Sequence, residues 1–187
     1  MERRFEANNR GKLLNAQRRE RWAPSRFLAR LNVEAGQTVL DLGCGPGFWT
    51  LPLAEIVGPS GTVWALDVSR EMLADLASRQ PPSQVRLLSG ELPSIGLPDA
   101  SVDWIWAAFV FHEVEPPEQL AAEMRRVTRP GGRVAVLDWR PDAAIDTGPA
   151  RSHRLSAAQV GEHLRVAGFR NKSLIWQDEE AYLVEAH

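Results

Sequence analysis

The stretch Thr38-Val39-Leu40-Asp41-Leu42-Gly43-Cys44-Gly45-Pro46-Gly47 decides how the chain folds. Its first half is a short apolar run with one acid inside it, which predicts a buried β-strand. Its second half alternates glycines, which lack a Cβ and tolerate positive φ, so that another molecule can approach the backbone. We expect a helix from Gly47 to Val57 to follow, with its first free N–H groups pointing into the same space. The stretch therefore predicts a ligand-binding loop at the end of a strand.

Strands and helices alternate on both sides of this loop. We expect helices at Trp22–Leu31, from a cap at Ser69 to Arg79, from Pro116 to Val127 and at Ala157–Ala167, strands at Thr62–Leu66, Val85–Leu88, Val102–Phe111 and Arg133–Leu137, and a terminal hairpin of Lys172–Trp176 and Ala181–Val184. The run from Val102 is longer than a strand needs, so its second half should leave the sheet. The motif Arg129-Pro130-Gly131-Gly132 should end the preceding helix, and Asp138 to Arg154 should form an irregular loop.

The predicted strands are continuous apolar runs, which is typical of a parallel sheet covered on both faces. Right-handed crossovers make such a sheet doubly wound. The fold class predicted is therefore α/β, a doubly wound, three-layer αβα Rossmann-like fold. Ligands of such folds bind beyond the carboxyl ends of the strands, where Asp41, Asp67, Glu91, Ala107 and Asp138 fall.

Length and composition fit one ordinary globular domain. The chain has 187 residues, of which 44% are hydrophobic and 25% charged. We expect a single domain over residues 1–187, with an N-terminal helical segment at 1–31 and a Rossmann-like core at 37–187. Cys44 is the only cysteine, so an internal disulfide and a cysteine metal cluster are both excluded.

Charge and hydropathy limit the partners. The net charge of −2 gives no general reason to expect nucleic acid or an anionic membrane as a partner. Residues 1–21 are rich in arginine, but interspersed acids and leucines favour a solvated helical lead-in that packs over the domain, rather than a nucleic-acid-binding arm. The sequence has no apolar run of the roughly 20 residues that cross a bilayer, and its start lacks the apolar segment of a secretion signal. We therefore expect a cytoplasmic protein.

The glycine loop suits an adenosyl group or a dinucleotide. The spacing G-x-G-x-G from Gly43 to Gly47 is one residue shorter than the G-x-G-x-x-G that holds a pyrophosphate. Asp41 is unfavourable beside a pyrophosphate because like charges repel, but it is favourable beside a sulfonium or an ammonium. Asp67 can accept hydrogen bonds from ribose hydroxyls in either case. Close packing of a helix on the sheet is a further reason for glycines in this loop, and a helix-capping role is an alternative for Asp67.

Three motifs in the same order resemble the class I S-adenosylmethionine-dependent methyltransferases. They are Val39–Gly47, Ala65-Leu66-Asp67-Val68-Ser69 and Arg129-Pro130-Gly131-Gly132. The similarity is strong from Gln37 to Asp138, and the nearest subgroup is the small one labelled ubiquinone/menaquinone-biosynthesis-like, also called methyltransferase type 11. The resemblance implies a seven-stranded sheet with a C-terminal hairpin, in which only the last strand is antiparallel. It also implies S-adenosylmethionine as cofactor and S-adenosylhomocysteine as product.

The resemblance also assigns cofactor contacts by position. They are Asp41 on the amino group; Gly43, Cys44, Gly45, Gly47 and Phe48 along the methionine part and ribose; Asp67 on the ribose hydroxyls; Val68 and Met72 beside the adenine; Gly90, Glu91 and Leu92 near the adenine amino group; and Ala107, Ala108 and Phe109, with His112 nearby, on the methionine side. A solvated loop acid is the alternative interpretation for Glu91. Cys44 at a helix N-terminus would have a lowered pKa, but a small packed residue is the favoured interpretation.

Methyl transfer from a sulfonium needs mainly placement and exclusion of water, so no catalytic residue is assigned. A general base helps if the acceptor is a hydroxyl or an acidic carbon, and the candidates are His112, Glu113, Asp138 and His153. For His112 we favour a structural, hydrogen-bonded histidine. Trp104 and Trp106 should lie in the core. Trp139 is the better candidate for stacking on a flat or cationic acceptor.

The acceptor is expected to be a small molecule. One cysteine disfavours arsenite methylation, and Ala108-Phe109-Val110-Phe111 in place of an Asn-Pro-Pro-Tyr-like tetrad disfavours methylation of nucleic-acid bases. Quinone methylation fits the subgroup label, but the longer N-terminal segment expected for it is not found. The alternatives to a methyltransferase are a non-catalytic S-adenosylmethionine-binding protein and, less favoured, a nucleotide-dependent oxidoreductase.

Overall fold

The computed structural model describes residues 11, 13–145 and 148–187. They divide into two compact units, of which the first ends at Glu91 and the second runs from Leu92 to His187. The first unit contains α1 (Ala16–Arg21), α2 (Pro24–Leu28), β1 (Thr38–Leu42), α3 (Thr50–Val57), β2 (Thr62–Asp67), α4 (Arg70–Ser78) and β3 (Val85–Ser89). Strand β2 pairs in parallel with β1 on one side and with β3 on the other.

Helix α4 forms as its sequence predicts. The Ser69 hydroxyl accepts a hydrogen bond from the Met72 backbone N–H at 3.2 Å and so satisfies one free donor of the first turn. Met72, Leu73 and Leu76 recur at helical spacing, and all three side chains are buried. Ser69, and not Asp67, is therefore the residue that caps this helix.

Two helices of the first unit are shorter than expected. The helix expected from Trp22 to Leu31 is confined to α2, because Pro24 disfavours a helical backbone at the residue before it and starts a new helix. The helix expected from Gly47 begins three residues later at Thr50. Gly47 has a φ of +88°, which is incompatible with a right-handed helix. The glycine loop is therefore longer than the sequence indicates.

The second unit contains β4 (Val102–Ala108), α5 (Pro117–Val127), β5 (Thr128–Trp139), α6 (Ala157–Val166), β6 (Ser173–Gln177) and β7 (Ala181–Ala186), with single 3-10 turns at Phe111–Glu113 and Arg151–His153. Strands β4 and β5 pair in parallel, whereas β7 is antiparallel to both β5 and β6. As expected, the apolar run from Val102 leaves the sheet before its end. Phe109 has a φ of +59° directly after β4, and the 3-10 turn follows.

Strand β5 extends beyond both predicted ends. The stretch Arg129–Gly132 is part of β5 instead of a separate turn, although the pairing with β4 shifts register beside it. At the other end, Asp138 and Trp139 belong to β5 and not to the loop that follows. They pair with Tyr182 and Ala181 of β7, more than 40 residues away in the sequence. Strand pairing between residues this far apart leaves no local pattern in the sequence, so it could not be predicted.

The seven strands of the sheet run in the order β3-β2-β1-β4-β5-β7-β6. This order and the antiparallel C-terminal hairpin confirm the predicted α/β fold. Trp104 and Trp106 are buried in β4, as expected. Among the described residues, no helix is long and apolar enough to cross a membrane, and no group of three or more potential ligand side chains is placed to hold a metal ion.

Candidate functional site

The glycine loop turns sharply between β1 and α3. Gly43, Gly45 and Gly47 have φ values of +70°, +53° and +88°, which residues with a side chain rarely adopt. The backbone N–H groups of Gly43 and Cys44 both donate to the carbonyl oxygen of Leu66 at 2.9 Å. The loop is therefore tied to the end of β2, and its shape depends on glycine at three positions.

The later two glycines differ in what surrounds the missing side chain. A Cβ at Gly47 would overlap with the side chain of Leu76 in α4, whereas a Cβ at Gly45 would only touch Leu13 at 3.5 Å. Gly47 therefore lets the loop pack against α4. Close packing of a helix is therefore one reason for glycine at position 47. The space beside Gly45 is not crowded by a helix side chain.

Asp41 lies in β1 just before the loop and is 1% exposed. Its Oδ2 accepts a hydrogen bond from the Thr50 hydroxyl at 2.6 Å, whereas its Oδ1 is buried and has no hydrogen-bond partner among the described residues. Burial raises the pKa of Asp41 to about 7; the Thr50 hydrogen bond opposes this rise and the charge of Asp67 adds to it. A buried carboxylate oxygen without a partner is costly, so this position suits a positively charged donor.

Asp67 closes β2 and connects it to the loop. Its Oδ2 accepts from the Gly45 backbone N–H and its Oδ1 from the Ser69 backbone N–H, both at 2.8 Å. Burial raises the pKa of Asp67, and these backbone hydrogen bonds oppose the rise. A carboxylate offers about four acceptor positions, so two remain for further donors such as a pair of hydroxyls. The sequence did not indicate that Asp67 also fixes the position of Gly45.

The apolar side chains assigned near the adenine and the loop have different environments. Val68 is 46% exposed although it is apolar, and it follows Asp67 directly. Met72 and Phe48 are buried, on α4 and in the loop respectively. Val68 is therefore the one of these three that offers an uncovered apolar surface to a ligand.

The remaining predicted positions of the first unit lie after β3. The Gly90 backbone N–H donates to the carbonyl oxygen of Asp67 at 3.2 Å, which holds this turn beside the end of β2. Glu91 is exposed. Asp67 therefore connects the chain after β3 to the glycine loop, and Glu91 follows that connection immediately.

Cys44 is a packed residue, as favoured from the sequence. Its side chain is 3% exposed and lies in a cluster with Ala65, Leu73 and Leu76. Burial, together with the nearby Asp41 and Asp67 carboxylates, raises the pKa of the thiol well above its usual value. A thiol of this kind stays protonated and is a poor nucleophile at neutral pH.

The N-terminal segment contributes two contacts that sequence reasoning missed. The Arg18 guanidinium of α1 lies 5.1 Å from the centre of the Phe48 ring, and Leu13 is the neighbour of Gly45 described above. Burial lowers the pKa of Arg18 to about 10. The expected packing of this segment over the domain therefore holds for the part described, while residues 1–10 and 12 of the arginine-rich stretch lie outside the described residues.

In the second unit, the predicted positions lie at the start of the unit and at the end of β4. Leu92 is half-buried in the loop that begins the unit. Ala107 and Ala108, the last two residues of β4, are buried. The next residue, Phe109, is half-buried in a left-handed conformation, and its backbone N–H donates to the Leu137 carbonyl oxygen at 2.7 Å. A non-glycine residue in this conformation is often found at functional sites.

His112 and Asp138 form a buried pair. The ring Nδ1 of His112 lies 2.7 Å from Oδ1 of Asp138, and the His112 backbone N–H donates to Oδ2 of the same carboxylate at 3.1 Å. The two side chains are 4% and 2% exposed. Burial alone would lower the pKa of His112, but the charge and hydrogen bond of Asp138 outweigh burial and raise it. The expected hydrogen-bonded histidine is therefore present, and its partner is another of the candidate bases.

The other candidate bases, Glu113 and His153, and the candidate stacking residue Trp139 differ in their burial and neighbours. Glu113 is half-buried in the same 3-10 turn as His112, and its charge contributes to the raised pKa of His112. His153 is half-buried in the second 3-10 turn. Trp139 is 8% exposed, with its ring centre 4.6 Å from that of Phe109 and with Gly148 packed against its indole. Phe109 is thus the more accessible ring of this pair.

A separate cavity of about 720 Å³ opens in the second unit between α6 and the hairpin, and its lining includes Arg140, Lys172 and Tyr182. The residues predicted to contact a cofactor do not line it. The cavity is therefore distinct from the positions that the sequence singled out.

A family model described as a methyltransferase domain matches residues 40–136. Among curated relatives, the demethylmenaquinone methyltransferase of Geobacillus sp. strain WCH70 is 37% identical over 114 residues, which are 59% of this chain and 49% of that protein. That of Oceanobacillus iheyensis is 32% identical over 129 residues, 67% of this chain and 54% of that protein. The chain spans about half the length of these curated relatives.

Two solved structures match most or nearly all of the chain. A structure of an S-adenosylmethionine-dependent methyltransferase from Aquifex aeolicus is 33% identical, covers 98% of both chains and has a TM-score of 0.89. One from Mesorhizobium loti is 21% identical, covers 88% of this chain and 96% of that chain, and has a TM-score of 0.72. At that lower identity the similarity concerns the fold alone.

Proposed function

Because the chain belongs to the methyltransferase-domain family of S-adenosylmethionine-dependent methyltransferases, we propose that it transfers a methyl group from S-adenosylmethionine to a small molecule. One observation carries the proposal. Asp41 holds a buried carboxylate oxygen without a described partner directly before a loop of three left-handed glycines. An ammonium group would satisfy this oxygen, and a pyrophosphate would be repelled by it.

The residues of the first unit fit this cofactor. Asp41 would accept from its ammonium group, and Asp67 would accept from its ribose hydroxyls with the positions that its two backbone hydrogen bonds leave open. Val68 supplies an uncovered apolar side chain that an adenine ring would bury. The cradle of glycines lets the backbone approach the ligand closely.

S-adenosylmethionine, when bound, supplies a methyl group on a sulfonium sulfur that is its own leaving group. The protein's part is to hold the acceptor in line with that methyl group and to exclude water, which can contribute about 7–11 kcal/mol to lowering the barrier. Gly43–Gly47 and the carboxylates of Asp41 and Asp67 would hold the cofactor in position. The acceptor must then approach from residues outside this loop.

We propose a small-molecule acceptor and not a nucleic-acid base. The net charge of −2 and the run Ala108–Phe111, which replaces an Asn-Pro-Pro-Tyr-like tetrad, support this choice. Arsenite is not supported, because the single thiol, Cys44, is buried in a packed cluster. The relatives named for demethylmenaquinone support methyl transfer to a small molecule, but they share only about half their length with this chain. We also propose a cytoplasmic location.

The test is a screen of small acceptors that measures release of S-adenosylhomocysteine. We expect at least one acceptor class to give turnover that stops when the cofactor is omitted. Tight binding of S-adenosylmethionine without turnover on any acceptor would instead favour a non-catalytic binding protein. Binding of NAD in place of S-adenosylmethionine would favour an oxidoreductase and contradict the proposal.

A further inference from the structure

The cavity of the second unit lies between α6 and the C-terminal hairpin. It has a volume of about 720 Å³, and every residue that lines it belongs to the segment 140–184. It therefore lies within one unit of the chain and outside residues 40–136, which the family model matches. Clefts of roughly 300–1,000 Å³ are typical of sites for small organic molecules. The residues assigned to the cofactor do not account for this cavity.

The floor of the cavity is an apolar part of the hairpin. Leu174 of β6 lies opposite Val184 of β7 in the strand pairing, so the two side chains are on the same face of the sheet. Tyr182, two residues before Val184, is on that face as well, and all three line the cavity. Val184 is buried, whereas Leu174 is 54% exposed. A large apolar side chain left uncovered inside a cavity favours a ligand that removes it from water.

The opposite wall is α6, which carries small residues where it faces the hairpin. Ala157 and Gly161 are four residues apart and lie on the same face of the helix, and Ala158 also lines the cavity. A Cβ at Gly161 would lie 3.0 Å from Cδ of Lys172. The stem of Lys172 therefore crosses the helix wall at the position where the helix has no side chain.

The positive charge of Lys172 is not balanced by its neighbours. Its Nζ lies 3.8 Å from Oε2 of Glu162, which is too far for a hydrogen bond. Arg165 already donates to both oxygens of that carboxylate, at 2.8 Å and 2.6 Å. Since two cations share one carboxylate, a net positive charge remains beside the cavity.

The other charged pair in the lining is balanced. Arg140 donates from Nε and Nη2 to the two oxygens of Asp142 at 2.9 Å and 2.5 Å, and from Nη1 to the carbonyl oxygen of Asp178 at 2.6 Å. This guanidinium is therefore occupied by the protein itself. Lys172 is the cation of the lining that can attract an anion, and the carboxylates of Asp142 and Glu162 disfavour a ligand with two negative charges.

We propose that this cavity binds a monocarboxylate with an apolar chain or ring, such as a medium-chain fatty acid. The carboxylate pairs with the Lys172 ammonium, and the apolar part covers Leu174 between the hairpin and α6. A neutral lipid lacks the charge that Lys172 attracts, and an inorganic anion lacks the surface that Leu174 offers. The site goes beyond the methyl-transfer function proposed above, because none of its residues is assigned to the cofactor.

The first test is a titration of the 187-residue chain with sodium decanoate, followed by NMR of the leucine and valine methyl groups. We expect saturable shifts at Leu174 and Val184 and none at Leu87. Leu87 is the internal control, because it is also exposed, at 39%, on the strand at the opposite edge of the sheet. Equal shifts at Leu87 and Leu174 would mean general binding to apolar surface, and absence of a saturable shift at Leu174 would mean no site. Either result would overturn the proposal.

The second test isolates the charge. Lys172→Met keeps an unbranched stem and removes the ammonium, so the affinity for decanoate should fall about two- to fivefold, as expected for a partly exposed ion pair. Decanol has the same chain without the charge, so it should bind equally to the wild type and to Lys172→Met. Arg170→Met, which removes an exposed cation outside the lining, is the matched control and should bind decanoate normally. The role of Lys172 is wrong if decanoate binding is unchanged in Lys172→Met, or if decanol binding falls as much.

The third test isolates the apolar surface. Leu174→Asn should weaken the binding of decanoate and of decanol about three- to tenfold, because a half-exposed leucine loses its apolar contact with the chain. Leu87→Asn, at the exposed leucine of β3, should leave both affinities unchanged. Wild-type affinities in Leu174→Asn would contradict the proposed position of the chain.

Two further outcomes would assign the decanoate or the cavity elsewhere. Saturating S-adenosylhomocysteine should leave the shifts at Leu174 in place, and displacement of decanoate would show that it binds at the cofactor loop instead. Sedimentation should give the same assembly state with and without decanoate. A dimer in which the Leu174 methyl groups no longer respond to decanoate would show that a second copy of the chain covers the cavity, and the proposal would fail.

Discussion

Asp41 and Asp67 are two carboxylates near one loop with different surroundings. Asp41 is almost completely buried and bonded through one oxygen to a hydroxyl, with its other oxygen unpaired among the described residues. Asp67 is half-buried and accepts a backbone N–H at each oxygen. The first is therefore suited to a cation, and the second to neutral donors that complete its acceptor positions.

Asp67→Ala should weaken S-adenosylmethionine binding at least about tenfold, because hydrogen bonds to a charged acceptor contribute about 1.5–3 kcal/mol each and the variant also releases Gly45. The measurement is titration calorimetry. Glu55→Ala, which removes an exposed carboxylate from α3, is the control and should bind normally. An affinity within threefold of the wild type in Asp67→Ala would show that the ribose assignment is wrong.

Asp41→Asn should remove a pH dependence of cofactor binding. With a pKa of about 7, Asp41 of the free protein is mostly protonated at pH 6 and mostly ionised at pH 8. An ammonium group favours the ionised form, so the affinity of the wild type should rise between pH 6 and 7.5 with loss of a proton from Asp41. The asparagine side chain cannot ionise, so the variant should bind S-adenosylmethionine more weakly than the wild type. Its affinity should not change over this pH range. Equal pH slopes in the two proteins would exclude Asp41 as the partner.

The raised pKa of Asp41 also makes the stability of the protein depend on pH. Stability should fall as the pH rises, whereas cofactor affinity should increase. Since the folded-state pKa of Asp41 lies above the unfolded value of about 4, the folded protein binds more protons between these values. Its contribution to the free energy of unfolding is therefore full below pH 4 and is lost as the pH rises through 7. Without cofactor, the melting temperature of the wild type should therefore fall more between pH 4 and pH 8 than that of Asp41→Asn.

Gly47 lets the glycine loop pack against α4. Gly47→Ala combines an unfavourable φ of +88° with overlap on Leu76, whereas Gly131→Ala has a φ of +79° and no atom close to the new Cβ. We expect Gly131→Ala to destabilise the protein by about 1–2 kcal/mol, and Gly47→Ala by at least about 1 kcal/mol more because of the overlap. Urea unfolding measures both, and equal losses would contradict the packing role of Gly47.

Elements with local signals were predicted well from the sequence. Helix α4 follows from its Ser69 cap and its apolar spacing, and the end of β4 follows from an apolar run that is too long for a strand. The C-terminal part of β5 could not be predicted, because Asp138 and Trp139 join the strand through pairing with β7. The start of α3 was placed too early because the backbone conformation of Gly47 has no signature in a single sequence.

In the candidate site too, features with a local sequence signal were predicted and contacts between distant residues were not. The glycine loop and the two acids at strand ends were found from spacing, because parallel strands bring their carboxyl ends to one edge. The pairing of His112 with Asp138 joins residues 26 apart, and the contact of Arg18 with Phe48 joins residues 30 apart. Such pairs depend on the folded chain, so the sequence supplied His112 and Asp138 only as separate candidates and did not indicate Arg18.

At the scale of the whole molecule, the alternation of strands and helices and the order of the seven strands place the chain in the α/β methyltransferase fold. The family model covers residues 40–136 and so includes the glycine loop and His112, but not Asp138 or the hairpin. The cofactor is therefore the part of the function that the family determines.

Titration calorimetry with S-adenosylmethionine, S-adenosylhomocysteine and NAD on the wild-type protein tests the central claim most directly. The account predicts binding of both adenosyl ligands with one site per chain and no detectable binding of NAD, because Asp41 suits an ammonium and repels a pyrophosphate. Tight binding of NAD with no heat from the two adenosyl ligands would contradict it.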